Sequence, residues 1–538
     1  MDPNVTMETL TMARDAIMAG AGTEKADPVR AGRIVDVMKA AGITMSNNIM
    51  WYDLAPLVMF TFPYTDMLIR DIPRTAGDGG NAHHWQAWTG MNTAKVPFGI
   101  GEGVRNAAIT FSSKYYTAPY QNFASEAFTT FQAQWASKNL SPDNKAAQTI
   151  MNLANTRDAE EKMTLGGNYS LTLGKAVTPT CVEQLTGGAI LANVGTVYVY
   201  CVALTNLGVD YIGGFGKCAA ASTLARRVSR TPKFAASADT VGGYAGRMSD
   251  VATCSITSDG NNTHAVYAST TPIQGAAGYA WFVGLSADAG STLCWVTGPA
   301  NVTLTISAGL GTTAANNTDL NSATAYEVTS TFAYDGLIPL IFGIGQGSTA
   351  GSGGVAGTPD AASGAYVKVG SNGDYLTATG ANGIQEIDDM LQDRFVNYNI
   401  GIQKFYVGAD LALDIRDIIV GGGAAPLYRV NIDAGKTGMA LTGGMRVGDY
   451  TNPFTGESIP IVTHRYVPRG MLIGYSFKLP YNLPNNAPVV EIKTLQEYMQ
   501  IDWPTIEMKW EASISLSSVL CMRFGPAFCG LMNYSSKH

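Results

Sequence analysis

The chain has 538 residues, 46% of them hydrophobic and 14% charged, with a formal net charge of −7. Ordinary soluble domains are about one quarter charged, so this chain cannot coat every face with charge, which points to faces buried against partners or to an uncharged, wet Gly- and Thr-rich β-surface. The acidic balance excludes a dedicated nucleic-acid binder, which needs clustered Lys and Arg to neutralise phosphates, but leaves open a container that holds DNA.

No basic start leads into an apolar stretch, and the apolar run Gly336 to Gly345 is short and broken by Pro339. The expectation is a soluble chain made in the cytoplasm, without membrane contact. The seven cysteines (Cys181, Cys201, Cys218, Cys254, Cys294, Cys521 and Cys529) are odd in number and show no zinc spacing. They read as small buried apolar residues.

Residues 1–52 read as an N-terminal arm with two short helices, the second opened by Asp27-Pro28 and closed by Gly42. Its stripe of Ile34, Val37, Met38 and Ala41 is too small to form a core, so it should dock elsewhere. Residues 53–122 are extended: an apolar strand at Leu57 to Phe62, a break at Gly77-Asp78-Gly79-Gly80-Asn81, a polar stretch with Trp85 and Trp88, and a returning strand at Ala107 to Tyr116. A two-stranded excursion with so little core is not stable alone and makes sense lying across a partner.

In residues 123–174, Phe128, Phe131 and Trp135 stand at helical spacing and are expected to face a core. Ser141-Pro142 then opens a long helix that runs to Leu165 and stops at Gly166-Gly167, with Ala147, Ile150, Leu153 and Ala154 as its buried stripe. Residues 175–330 change texture to Gly, Thr, Ser, Val and Tyr. Strands are expected at Val197 to Leu204, with Val197, Val199 and Cys201 on one face, at Tyr279 to Val283 and at Val302 to Ile306. This is the signature of a β-sandwich, without the paired Cys-Trp-Cys of antibody domains. Residues 331–484 return to mixed character. Gly343 to Ala365 reads as a mobile Gly/Ser loop, Ile384, Ile387, Leu391 and Phe395 mark a helix, and a strand (Ile402 to Val407) and a helix (Leu411 to Ile419) follow. Residues 485–538 alternate strand and turn.

Motifs that could carry chemistry fail on inspection. Gly435-Lys436-Thr437 lacks the earlier P-loop glycine, because Val430 stands there. Gly99, Gly101 and Gly103 read as turn glycines rather than a dinucleotide fingerprint. His83-His84 would point to opposite sides of an extended chain and read as an exposed loop pair; His264 and His464 stand alone. Glu386, Asp388, Asp389 and Asp393 read as a solvated acidic helix face rather than a metal site. No catalytic, cofactor-binding or metal residue is assigned, no cofactor is expected, and the chain is not read as an enzyme.

The order of segments resembles the HK97-like major capsid proteins of tailed bacteriophages. Arg70-Asp71-Ile72-Pro73-Arg74 with Gly79-Gly80 and Trp85 resembles the entry to that family's E-loop, and Gly90-Met91-Asn92-Thr93 with Gly101-Glu102-Gly103 its exit. Asn452-Pro453-Phe454-Thr455-Gly456 with Ile459-Pro460-Ile461-Val462 is similar to a late axial-domain turn. Tyr498-Met499-Gln500-Ile501-Asp502-Trp503-Pro504 and Gly525-Pro526-Ala527 are similar to the closing peripheral-domain strands, and Gly278-Tyr279-Ala280-Trp281-Phe282-Val283-Gly284 to the central strand of an Ig- or fibronectin-like phage domain.

The resemblance implies an α+β fold. Its parts would be an N-arm (1–52), a strand and E-loop (53–122), a spine helix with peripheral domain (123–174), an inserted Ig-like sandwich (175–330), an axial domain (331–484) and closing peripheral strands (485–538). It implies a homo-oligomer of hexamers and pentamers forming an icosahedral shell in the virion around double-stranded DNA, bound without sequence specificity. Portal, scaffold and decoration proteins would be partners. Some relatives join a loop Lys to an Asn of a neighbour; Lys95 is available for this, but no feature marks its partner and no crosslink is expected. An encapsulin-like cellular compartment and a carbohydrate-binding surface protein are the alternative readings.

Overall fold

The computed structural model describes residues 66–91, 99, 101–105, 108–136, 144–167, 169, 173, 175–188, 190, 195–212, 216–217, 246, 248–257, 263–285, 292–298, 303–306, 333–342, 364–370, 374–379, 383–421, 447–477, 479, 488–505 and 507–536. Almost all fall in one compact unit, residues 62–135 with 145–538. The expected N-terminal arm, the strand at Leu57 to Phe62, Lys95, Ser141-Pro142, Gly435-Lys436-Thr437 and nearly all of Gly343 to Ala365 lie outside the described residues.

In chain order, the first elements are α1 (Met67–Asp71), β1 (Arg74–Ala76), β2 (Ala82–Met91), β3 (Phe111–Pro119), β4 (Gln121–Thr130), α2 (Phe131–Ala136) and α3 (Asn144–Gly166). Then come β5 (Thr180–Gln184), β6 (Thr196–Leu204), α4 (Asn206–Ile212), β7 (Gly216–Lys217), β8 (Ala252–Ser255), β9 (Ala265–Ser269), β10 (Gly278–Gly284), β11 (Thr292–Thr297) and β12 (Thr303–Ile306). The rest are α5 (Leu337–Phe342), β13 (Tyr366–Val369), α6 (Gln385–Tyr398), β14 (Lys404–Val407), α7 (Ala409–Gly421), β15 (Asp449–Thr451), β16 (Ser458–Thr463), β17 (Leu472–Tyr475), β18 (Val490–Asp502), β19 (Lys509–Met522) and β20 (Phe528–Met532). Among the described residues, strands outnumber helices and most strand pairs are antiparallel, with a β-α-β-α-β run over residues 366–451, which makes the chain α+β.

In the six-stranded sheet β13-β20-β17-β14-β16-β15 the central strands β20, β17 and β14 are buried on both faces. Phe405, Val407, Leu472 and Leu531 pack on one side with Ile387 and Leu391 of α6 and Leu411 and Ile415 of α7. The alternate residues Tyr406, Ile473, Tyr475, Phe528 and Met532 pack on the other with Leu337, Ile341 and Phe342 of α5. Period-two alternation explains both sets, and two covered faces explain why these strands read as continuous apolar runs. Asn452 builds the turn into β16: its side-chain oxygen accepts the N–H of Phe454 at 2.9 Å, and Gly456 takes φ 74°, which only glycine adopts freely.

A four-stranded sheet, β1-β18-β19-β4, carries α3 on one face. The expected closing segment 485–538 is divided: β18 and β19 complete this sheet, whereas β20 leaves it and pairs with β13 and β17. The intervening Gly525-Pro526-Ala527 forms a single 3₁₀ turn that redirects the chain. β2 and β3 form a separate two-stranded hairpin, with Ala82 opposite Pro119 at the root and Met91 opposite Phe111 at the far end.

Two further sheets, β7-β11-β10-β6-β8 and β12-β9-β5, share one core. Val197, Val199 and Cys201 are fully buried in it, together with Trp281, whose indole N–H donates to Thr297 Oγ1 at 3.0 Å. Trp281 sits opposite Cys201 in the ladder, and Cys181, Cys201, Cys254, Cys521 and Cys529 are all free thiols. The chain leaves the body at the end of α3 and returns at the same place: Gly336 N–H donates to the Gly167 carbonyl at 2.8 Å. A Cβ on Gly336 would lie 2.7 Å from the Met163 carbonyl oxygen, so this junction admits no larger residue.

Two expectations about α2 and α3 are overturned. Phe128 lies in β4, opposite Glu511, and Phe128 and Trp135 are 62% and 82% exposed rather than packed in a core. On α3, Ala147 and Ala154 are buried, but Ile150 and Leu153 are exposed, and the buried stripe is Asn152, Thr156, Glu160 and Thr164. The spacing of four keeps these side chains on one ridge. They reach hydrogen-bonding groups of the sheet below, so the ridge is polar where an apolar one was expected.

Candidate functional site

The polar ridge of α3 meets its sheet group by group. Asn152 Nδ2 donates to the Ser125 carbonyl at 2.9 Å, Ser125 and Thr156 hydroxyls bond at 2.6 Å, and Thr164 bonds the Tyr334 hydroxyl at 2.8 Å. At the centre, Glu160 is fully buried. It accepts from Arg74 Nη2 at 2.7 Å, from Ser518 Oγ at 3.2 Å and from the Tyr498 hydroxyl. Burial is the largest single influence and works to lower the Arg74 pKa, but the charge and hydrogen bond of Glu160, with Tyr498 and Glu497, together outweigh it and hold the guanidinium above its ordinary value. Burial and then the same carboxylate push the Tyr498 phenol up, so it remains a donor.

Its neighbour Glu161, also fully buried, turns to other elements. It accepts the backbone N–H groups of Leu68 and Ile69 at 2.7 and 2.9 Å, in the first turn of α1, and bonds His464 Nε2 at 2.7 Å. His464 Nδ1 accepts the Tyr466 N–H at 3.2 Å, so the ring proton on Nε2 faces the carboxylate. Asp71, at the end of α1, accepts from Lys404 and Tyr406 of the six-stranded sheet. Asp66 pairs with Arg157 of α3 at 2.9 Å. Residues 66–76 therefore form a clasp that ties the long helix to both sheets. The Arg70-Asp71-Ile72-Pro73-Arg74 motif is its centre: Asp71 and Arg74 make the ion pairs and Ile72 is buried between them. With Glu160 and Glu161 shut from water and each facing fixed partners, the clasp holds elements together rather than presenting a reacting group.

The surface carries the opposite character. On the hairpin, Trp85 and Ala118 near the root pack on the main core, but Tyr115 and Phe111 further out are 76% and 59% exposed. At the far end of the four-stranded sheet, Phe128, Trp135, Trp503 and Met508 are exposed, as are Ile150 and Met151 on α3. Scattered apolar residues are ordinary on a surface, but aromatic groups gathered at an arm and a sheet end are candidate contact surfaces.

The remaining sequence candidates are placed as follows. His83 and His84 stand on β2 rather than in a loop; His83 is buried, and His84 Nδ1 bonds Thr117 Oγ1 at 2.8 Å. His264 and His464 are not alone: each is buried against a carboxylate, His264 at 2.8 Å from Glu183 and His464 on Glu161. The acidic face of α6 is not simply solvated. Glu386 is buried and accepts the Thr377 N–H at 2.9 Å, Asp388 accepts the Tyr450 hydroxyl at 2.6 Å, Asp389 pairs with Lys368 at 3.0 Å and Asp393 pairs with Arg394. Burial raises the Asp388 pKa. Gly99, Gly101 and Gly103 lie in an exposed turn closed by Val104 N–H on the Gly101 carbonyl at 3.2 Å. Sequence reasoning missed the Glu160–Glu161 clasp; the one available signal was a pair of carboxylates set where the long helix should have continued its apolar stripe.

No protein-family model matches this chain, and no curated protein does. Solved structures match at low identity. The chain is similar to the capsid of Myoviridae phage XM1, at 8% identity and a TM-score of 0.36, over 91% of this chain and 99% of that one. It is similar to the capsid of an empty GTA particle at 8% and 0.38, over 92% and 99%. It is also similar to Gordonia phage Cozz at 8% and 0.36, over 96% and 97%. Tailed-phage capsids recur among the solved structures that resemble this chain.

Proposed function

We propose that this chain is a major capsid protein of a tailed bacteriophage, an HK97-like shell subunit with an inserted Ig-like domain. The observation that carries the reading is the hairpin β2–β3. It is ten residues long on its first strand, which extends about 30 Å, and the described side chains beyond its root are left exposed, Tyr115 most of all. A two-stranded ribbon of this kind gains its stability by lying on a second copy. The clasped helix α3 supplies the stiff spine such an arm needs, and the six-stranded sheet would form the axial domain that meets its copies around a rotation axis. Heterologous contacts of this type close into rings, and rings of six and five tile a shell.

On this reading the excursion between Gly167 and Gly336 is the insert. An insertion whose two ends lie side by side leaves the body's own connections undisturbed, which suits a projecting domain. The shell would be assembled in the host cytoplasm, enclose double-stranded DNA without reading its sequence, and meet a portal and a scaffold. Its role is structural rather than catalytic. Sedimentation of the purified chain beside a Tyr115→Glu, Phe111→Glu variant tests the reading. The parent should sediment as ring assemblies or shells and the variant as monomer; a parent that sediments only as monomer would overturn it.

A further inference from the structure

The hairpin joins the body through a stack of rings around a buried histidine. His83 and Trp85, two residues apart on β2 and so on one face, stack at 5.6 Å, and Trp85 stacks on Tyr116 of β3 at 5.6 Å. Trp85 and Ala118 pack on the main core, and Tyr120 N–H donates to the Asn81 carbonyl at 3.0 Å to close the root. Gly79 and Gly80, at φ 95° and 85°, precede the root and supply a pliable approach to it. His83 is 9% exposed, and its Nε2 is sealed from water with no hydrogen-bond partner among the described residues.

We propose that His83 is an acid-labile latch at the root of the hairpin: neutral, it seats the root on the body; protonated, it frees the hairpin to change its angle. The surroundings oppose the proton from several sides. Lys493 on β18 and Arg523 just beyond β19 both disfavour a positive charge on the ring. Asp78 and Glu491 favour a charge, but Glu491 is already held by Arg523 and by the Thr75 hydroxyl at 2.9 Å. Tyr120 and Cys521, which face the same group of charges, are held neutral, because burial raises both, Cys521 to about 12. Burial first, then the two cations, set the His83 pKa below its ordinary value. The seated root is therefore at full strength above about pH 6.5, the ordinary histidine pKa, and weakens as pH falls below it. This concerns one chain's own root and does not rest on the shell reading.

Hydrogen–deuterium exchange on the full chain, corrected for intrinsic rates and followed from about pH 7.5 to about pH 5, tests it. Exchange in peptides spanning β2 and β3 should rise by up to about tenfold per pH unit below the ordinary histidine value, while β14 and β17 stay level. His83→Gln, which cannot be charged, should show a flat profile, and His83→Phe provides a second uncharged variant should the first not fold. A flat profile in the parent, or an equal rise in parent and variants, would overturn the inference.

Discussion

Glu160 and Glu161 are adjacent in sequence yet hold different neighbours, because successive helix residues point about 100° apart. Among the described residues, Glu160 is the buried countercharge of Arg74, since Glu497 is at 3.7 Å and largely exposed. Removing one member of a buried pair leaves the other uncompensated. Glu160→Gln should therefore destabilise the chain by about 3–5 kcal/mol, read as a fall in the urea midpoint; a change under about 1 kcal/mol would mean the clasp is not a structural hub. This cluster was not legible in the sequence. Its partners, Arg74, Tyr498 and Ser518, lie 86, 338 and 358 positions from Glu160, and long-range pairing leaves no local periodicity.

At the scale of elements, local patterns were read well where burial is apolar. The alternation of Val197, Val199 and Cys201 located β6 and its inward face, and the Gly77–Asn81 break and Ala107–Tyr116 run outlined the hairpin, whose strands are Ala82–Met91 and Phe111–Pro119. The partial failure on α3 has a definite cause: a helix resting on Ser125, Thr129 and Ser518 can bury a polar ridge, so hydrophobic spacing found Ala147 and Ala154 but not the ridge, and took Ile150 and Leu153 for buried. Phe128 misled for a related reason, since three aromatics at helical spacing straddle the boundary between β4 and α2. In the sandwich, Trp281 fills the centre of a core that shares no cluster with the body. Trp281→Ala should cost about 3–5 kcal/mol and lower a sandwich transition in calorimetry. The hairpin's exchange should remain unchanged, and a loss of protection throughout the chain would show that the sandwich and body unfold as one. For the hairpin itself, Tyr115→Glu should leave the thermal midpoint within about 2 °C, because it alters an exposed position, while abolishing assembly.

Across the whole molecule, three tied layers carry the account: a two-faced sheet, a sheet under a polar helix, and a hairpin seated on the core by Trp85 and Ala118 at its root. The path of β20 from one sheet to the other was not legible, because Gly525-Pro526-Ala527 announces a turn without saying where the next strand pairs. On the proposed reading, the exposed aromatics at the hairpin and sheet end would serve contacts with other copies, and the low charge content agrees with that use. Electron microscopy of the purified chain, alone and with the proteins encoded beside it, is the most direct test. The account predicts closed shells, or rings of six and five that convert to them. A chain that stays a monodisperse monomer under every condition would contradict it.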